Sequence, residues 1–110
     1  MMKYKNQENK NNSKIILEKS SGNVFLDIGF PEDEAINLSA RVNLMIQIET
    51  IIETYGWTQT QAAKYLKVKQ PRISDLINRK TEKFTIDMLM KWLHKLGKEV
   101  TIEVKNSEVA

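Results

Sequence analysis

Between Trp57 and Lys80 the sequence carries six cationic side chains, Lys64, Lys67, Lys69, Arg72, Arg79 and Lys80, against a single acid, Asp75. Interleaved with them stand Gln59, Gln70, Ser74 and Asn78, neutral groups that both donate and accept hydrogen bonds. Amides and guanidinium groups can form paired hydrogen bonds with a flat partner, and the charges attract anions. That combination suits recognition of a polyanion that presents hydrogen-bonding edges; solvated lysines alone would explain the charge but not its concentration in one segment. Residues for bond-making chemistry are scarce. The chain has no cysteine and one histidine, and no glycine-rich phosphate loop or metal-ligand spacing occurs. His94 falls near a helix C-terminus, where a cation is mildly favoured, and the acids at 32–34 are accounted for by a helix start. Neither an enzyme nor a cofactor or metal is expected.

The segments that must hold this patch carry a different balance. Residues 31–56 have one cation against five acids and residues 81–110 have five of each, so the net charge of +3 conceals a segregated distribution. With 110 residues, 41% of them apolar, one domain is expected. Asn and Lys crowd the first fifteen residues, which reads as a soluble arm. The expected division is a flexible arm over 1–22, a domain over 23–104 and a tail over 105–110. No apolar run approaches the ~20 residues of a membrane span and no signal-peptide core follows the N-terminal lysines, so no membrane contact and a cytoplasmic location are expected.

Within the domain, Val24–Ile28 is β-branched and apolar between Gly22 and Gly29 and reads as a short strand. Pro31 with Glu32, Asp33 and Glu34 opens a long helix, since proline suits the first turn and acids oppose the positive end of the helix dipole. That helix runs to about Tyr55, with Leu44, Ile48, Ile51, Ile52 and Tyr55 at helical spacing. A second apolar face, Ala35, Leu38, Val42 and Ile46, exceeds what one small core needs. Gly56 fits its end, and Thr58 with Gln61 forms a capping box for a short helix over Gln59–Leu66. Pro71 marks the first turn of the next helix, whose buried side is Ile73, Leu76 and Ile77. After a polar loop from Asn78 to Lys83, Thr85 caps a last helix carrying Ile86, Leu89, Met90, Leu93 and Leu96 up to Gly97. Trp57 and Trp92 read as packing residues of the core or its edge. The alternation Val100, Ile102, Val104 predicts a half-buried strand. The fold class is mainly α: a helix-turn-helix bundle of four to five helices with a short C-terminal strand and an N-terminal one.

The segment Gln59–Asn78, QTQAAKYLKVKQPRISDLIN, resembles the helix-turn-helix of the Cro and lambda-repressor superfamily. Ala63 stands where the two helices cross, and Val68, Ile73 and Leu76 stand at the apolar positions that lock them together. Lys67 is the departure, because the family usually has glycine there and a lysine at positive φ is uncommon. From Asp27 to about Val104 the chain resembles HigA-like antitoxins and Xre-type regulators. The resemblance implies that the helix beginning near Lys69–Pro71 lies in the DNA major groove, with Lys69, Gln70, Pro71, Arg72, Ser74, Asp75 and Asn78 as base readers. Gln70 can pair with adenine or reach a phosphate; Arg72 can pair with guanine, with phosphate or with Asp75. Asp75 either accepts from cytosine or holds Arg72 or Arg79. Thr58 and Gln59 are placed as phosphate clamps, and Lys67, Arg79 and Lys80 as further phosphate contacts.

The resemblance further implies a double-stranded DNA operator and a homodimer on inverted half-sites. The extra apolar face of the long helix or the edge of Val100–Val104 would supply the dimer contact, and the arm up to about Phe30 or the face around Leu38 and Val42 the contact with a toxin. A repressor that also serves as antitoxin to a RelE- or HigB-like toxin is the finer implication; a phage or host regulator with no toxin is the alternative.

Overall fold

The structure, a computed structural model, describes residues 14–16 and 24–106. Its spine is the long acidic-headed helix, here α2, which spans Glu32–Tyr55 behind α1 (Val24–Asp27). Glu32, Asp33 and Glu34 fill the first turn, as the dipole argument requires. Leu44, Met45, Ile48, Ile51 and Ile52 enter the core, each such side chain contributing ~1.5–3 kcal/mol of burial. Against α2 pack a 3₁₀ turn (Thr81–Lys83), α5 (Ile86–Lys95) and α4 (Gln70–Ile77), and α3 (Gln59–Leu66) packs on α4. Leu66, Ile73, Leu76 and Leu89 are completely buried at their junction, with Phe84 and Trp92 meeting edge-to-face at 5.5 Å.

Helices α2 to α5 each end in one hydrogen-bond pattern, in which a residue one or two past the helix takes left-handed φ and its successor's N–H reaches back five residues. Trp57 donates to the Ile52 carbonyl, Val68 to Ala63, Lys80 to Asp75 and Lys98 to Leu93, at 2.9–3.1 Å. The left-handed residues are Gly56, Lys67, Arg79 and Gly97. Glycine takes that conformation without a Cβ clash, so α2 and α5 end as the sequence predicts. Lys67, at φ 62, adopts it despite its side chain, and so does Arg79, at φ 55. The tight turn between α3 and α4 is therefore built without the glycine the family usually supplies.

Two N-terminal expectations need correction. Val24–Ile28 is not a strand: Val24–Asp27 forms α1, followed by a turn at Gly29 that returns Phe30 N–H to the Phe25 carbonyl at 3.1 Å. Five residues are too few to carry a period, and packing against α2 decides the helical state. The N-terminal strand instead lies inside the segment read as an arm. β1 (Lys14–Ile16) pairs in parallel with β2 (Thr101–Glu103), Ile15 opposite Ile102. One edge of the C-terminal strand, considered above for a two-fold mate, is thus occupied within the chain. The expected flexibility of the rest of residues 1–22 lies outside the described residues.

Tyr55 does not join the core. It is exposed and stacks on Trp57 at 4.8 Å, and Trp57 in turn lies against Tyr65 at 4.8 Å. On the second apolar face of α2, Ala35 is buried, Ile46 is exposed, and Leu38 and Val42 are half-buried. Leu38 and Val42 line an open groove with Phe25, Phe30 and Arg41.

Candidate nucleic-acid interface

Thr58 starts α3 with a complete capping box: its hydroxyl accepts from Gln61 N–H at 3.1 Å and its own N–H donates to Gln61 Oε1 at 2.8 Å. Two of the helix's orphan donors are satisfied, and Gln59 is fixed as the first helical residue. Ala63, 4% exposed, lies in the core where α3 and α4 pack. Its single methyl admits the close approach that brings the two helix starts together. Lys69 precedes α4 in extended conformation, and Pro71 sits in the first turn. Gln70 Nε2 donates to Gln59 Oε1 across this junction. The bond uses one donor and one acceptor, so the Gln59 amide nitrogen and the remaining N–H and oxygen of Gln70 keep hydrogen-bonding capacity for a ligand.

Along α4 the polar residues divide into two stripes by helical spacing. Gln70, Ser74 and Asn78 recur every four residues, and Asn78 Nδ2 donates weakly to Ser74 Oγ at 3.4 Å. Gln70, Pro71 and Asn78 are exposed and Ser74 is half-buried. The other stripe, Arg72, Asp75 and Arg79, is tied to the protein. Arg72 lies over the Phe84 ring at 4.4 Å, with the Trp92 ring at 5.8 Å, and its Nη1 donates to the Lys83 carbonyl at 3.2 Å. Asp75 pairs with Lys83 at 3.9 Å, not with Arg72 or Arg79. Arg79 pairs with Glu49 of α2 at 2.6 Å and donates to the Leu76 and Ile77 carbonyls at 3.2 and 3.4 Å, capping its own helix.

The structure thus brings Gln59 and Gln70 into contact where α3 and α4 meet, with Thr58 and Pro71 next to them in the chain, Lys67 and Lys69 exposed in the connecting turn, and Lys80 exposed beyond the far end of α4. It also gives Arg72, Asp75 and Arg79 intramolecular partners that the sequence did not indicate, namely Phe84 and Lys83 for Arg72, Lys83 for Asp75 and Glu49 for Arg79. Phe84 was legible in principle. It occupies the position before the Thr85 N-cap, where an apolar residue commonly packs back on the fourth helical residue, here Leu89, and both are buried. Lys95, on α5, adds a bond that no pattern announced: its Nζ donates to the Leu66 carbonyl at the end of α3, at 3.2 Å.

Among the described residues no group of three or more His, Asp or Glu side chains is placed to hold a metal ion. No described helix is long and apolar enough to cross a membrane.

Residues 24–105 match a family model described as a helix-turn-helix domain. A solved structure assigned to the XRE family of transcriptional regulators is similar over 71% of this chain and 85% of its own, with a TM-score of 0.63 and 28% identity. No curated protein matches the sequence.

Proposed function

Because the chain belongs to the helix-turn-helix domain family, we propose that it is a transcription regulator that binds double-stranded DNA with α4 in the major groove. The observation that carries this reading is the Gln59–Gln70 amide pair at the α3–α4 junction, with Lys67 and Lys69 exposed in the turn that joins the two helices. An amide held by a neighbour loses little rotamer freedom on meeting an adenine edge, and its unused donors and acceptor can pair with that base and an adjacent phosphate. Lys69, Gln70, Pro71, Ser74 and Asn78 are the proposed base-reading surface. Thr58, Gln59, Lys67 and Lys80 are the proposed phosphate contacts. The similar XRE-family structure supports the regulatory role.

Binding of the purified chain to its own upstream DNA, against scrambled DNA over a range of salt, tests the proposal. Selective binding is the expected result. Gln70→Ala should then relax sequence preference, whereas Lys80→Ala should weaken binding to all sequences and flatten the salt dependence by about 0.9 in log–log slope. Identical behaviour of the two variants would place the wrong helix in the groove.

The proposal extends to a homodimer acting as an autoregulating repressor and antitoxin to a RelE- or HigB-like toxin. The apolar groove between α1 and α2, lined by Phe25, Phe30, Leu38 and Val42, favours a protein partner there. Co-purification with the product of a neighbouring gene, lost on Leu38→Glu, would support a toxin; its absence, with operator binding intact, would leave a phage- or host-type repressor.

A further inference from the structure

The stripe Arg72, Asp75 and Arg79 occupies the part of the recognition helix where charged side chains would be expected to meet DNA, yet each of the three has a partner inside the protein. Arg72 is engaged by a ring and by a carbonyl at once. It is the third residue of α4, in the turn that would enter the groove, and its guanidinium is stacked on Phe84 while donating to the backbone of Lys83. Three residues along, Asp75 meets the side chain of that same Lys83. Two residues on one face of α4 thus clasp one dipeptide, whose aromatic half is anchored in the core. Phe84 is 2% exposed and packs edge-to-face on Trp92 of α5.

We infer that Arg72 is a positioning residue, not a base reader: with Asp75 it clasps Lys83–Phe84 and fixes where α4 sits on the body of the domain. A guanidinium over an aromatic face gains electrostatic attraction without losing its edge, so one side chain can hold the ring and the carbonyl together. Leaving both would expose the Phe84 face and forfeit the bond. The clasp therefore determines affinity from behind the helix, and Lys69, Gln70, Pro71, Ser74 and Asn78 are left to read bases. This assignment rests on the proposed DNA-binding role of α4.

The test compares Arg72→Ala, Arg72→Lys, Phe84→Leu and the Arg72→Ala/Phe84→Leu double variant, using the full chain and an operator substituted base pair by base pair. Arg72→Ala should weaken binding about tenfold, keep the wild-type preference at every base pair, and leave the salt slope unchanged. Arg72→Lys, which retains a cation over the ring, should recover part of the loss. Phe84→Leu should reproduce the effect, and the double variant should lose no more than the weaker-binding single one. Loss of preference at one base pair in Arg72→Ala but not in Phe84→Leu would show that Arg72 reads that base. A slope reduced by about 0.9 would show a phosphate contact. Either result overturns the inference. Should Phe84→Leu fail to fold, Lys83→Ala with Asp75→Asn tests the other half of the clasp on more exposed groups, with non-additive losses expected. Should the wild type bind no DNA, the proposed function fails by itself. Thermal unfolding of the same variants then decides the clasp, additive losses of Arg72→Ala and Phe84→Leu refuting it.

Discussion

Lys67 takes φ 62 and ψ 45 at the end of α3, a conformation that costs a side-chain-bearing residue ~1–2 kcal/mol. The turn into α4 holds because Val68 and Lys67 return their N–H groups to the Ala63 and Lys64 carbonyls and Lys95 reaches the Leu66 carbonyl. Glycine would relieve the strain but add entropy to the unfolded chain, so the gain is partial. Lys67→Gly should raise stability by about 0.5–1 kcal/mol, seen as a higher unfolding midpoint. If Lys67 meets a phosphate, the same variant should lose about 0.9 of the salt slope of DNA binding. Opposite signs in the two measurements would show a residue kept for its charge at a cost in stability. A lowered midpoint would show that its aliphatic stem packs more favourably than the strain costs. Sequence comparison with the family flags position 67; it does not flag Arg79, whose left-handed conformation follows from the same helix-end pattern.

Ala63 is buried in the core where α3 and α4 pack, so a longer side chain there would have to push neighbours apart. Overpacking a filled core costs ~1–3 kcal/mol, and here the strain falls on one helix pair. Ala63→Leu should lower stability by about that amount, and the relative movement of the helix starts should break the Gln59–Gln70 pair. DNA selectivity would fall further than the stability loss accounts for. Selectivity that merely tracks the folded fraction would show that the crossing distance does not matter to reading. These elements were legible from the sequence because each carries its own boundary signal: acids after Pro31, the Thr58–Gln61 box, Pro71, and the Thr85 cap that accepts from Met88 N–H. α1 was not, since Val24–Asp27 is one turn long and its helical state depends on α2.

At the scale of the molecule, the chain's two ends are joined. β1 and β2 form a two-stranded parallel sheet of three residues each, a unit too small to persist by itself. β1 also lies near α2, which ties the sheet to the spine. Removing residues 1–16 should accelerate amide exchange at Thr101–Glu103 while leaving α4 protected around its completely buried Ile73 and Leu76. Unchanged exchange at 101–103 would mean that β2 is held by something other than β1. Ile102 and Val104 are exposed, so removal of β1 should also widen the apolar surface at this end of the fold.

The sequence by itself determined α2 to α5 and most of their buried faces, the place of the C-terminal strand but not the half-burial expected of it, since Ile102 and Val104 are exposed, and the segment in which charge and hydrogen-bonding groups concentrate. Those features depend on periodicity, caps and composition, all of which act within a few residues of each other. Only the tertiary structure decided which polar side chains of α4 are spent internally. Arg72, Asp75 and Arg79 look like Gln70, Ser74 and Asn78 in a linear reading: polar, regularly spaced and beside a basic run. Their difference lies in partners from other elements, Lys83 and Phe84 before α5 and Glu49 on α2, because an ion pair or a ring contact is made across space and leaves no local period. For the same reason the strand at 14–16 was hidden, its partner being supplied by the opposite end of the chain.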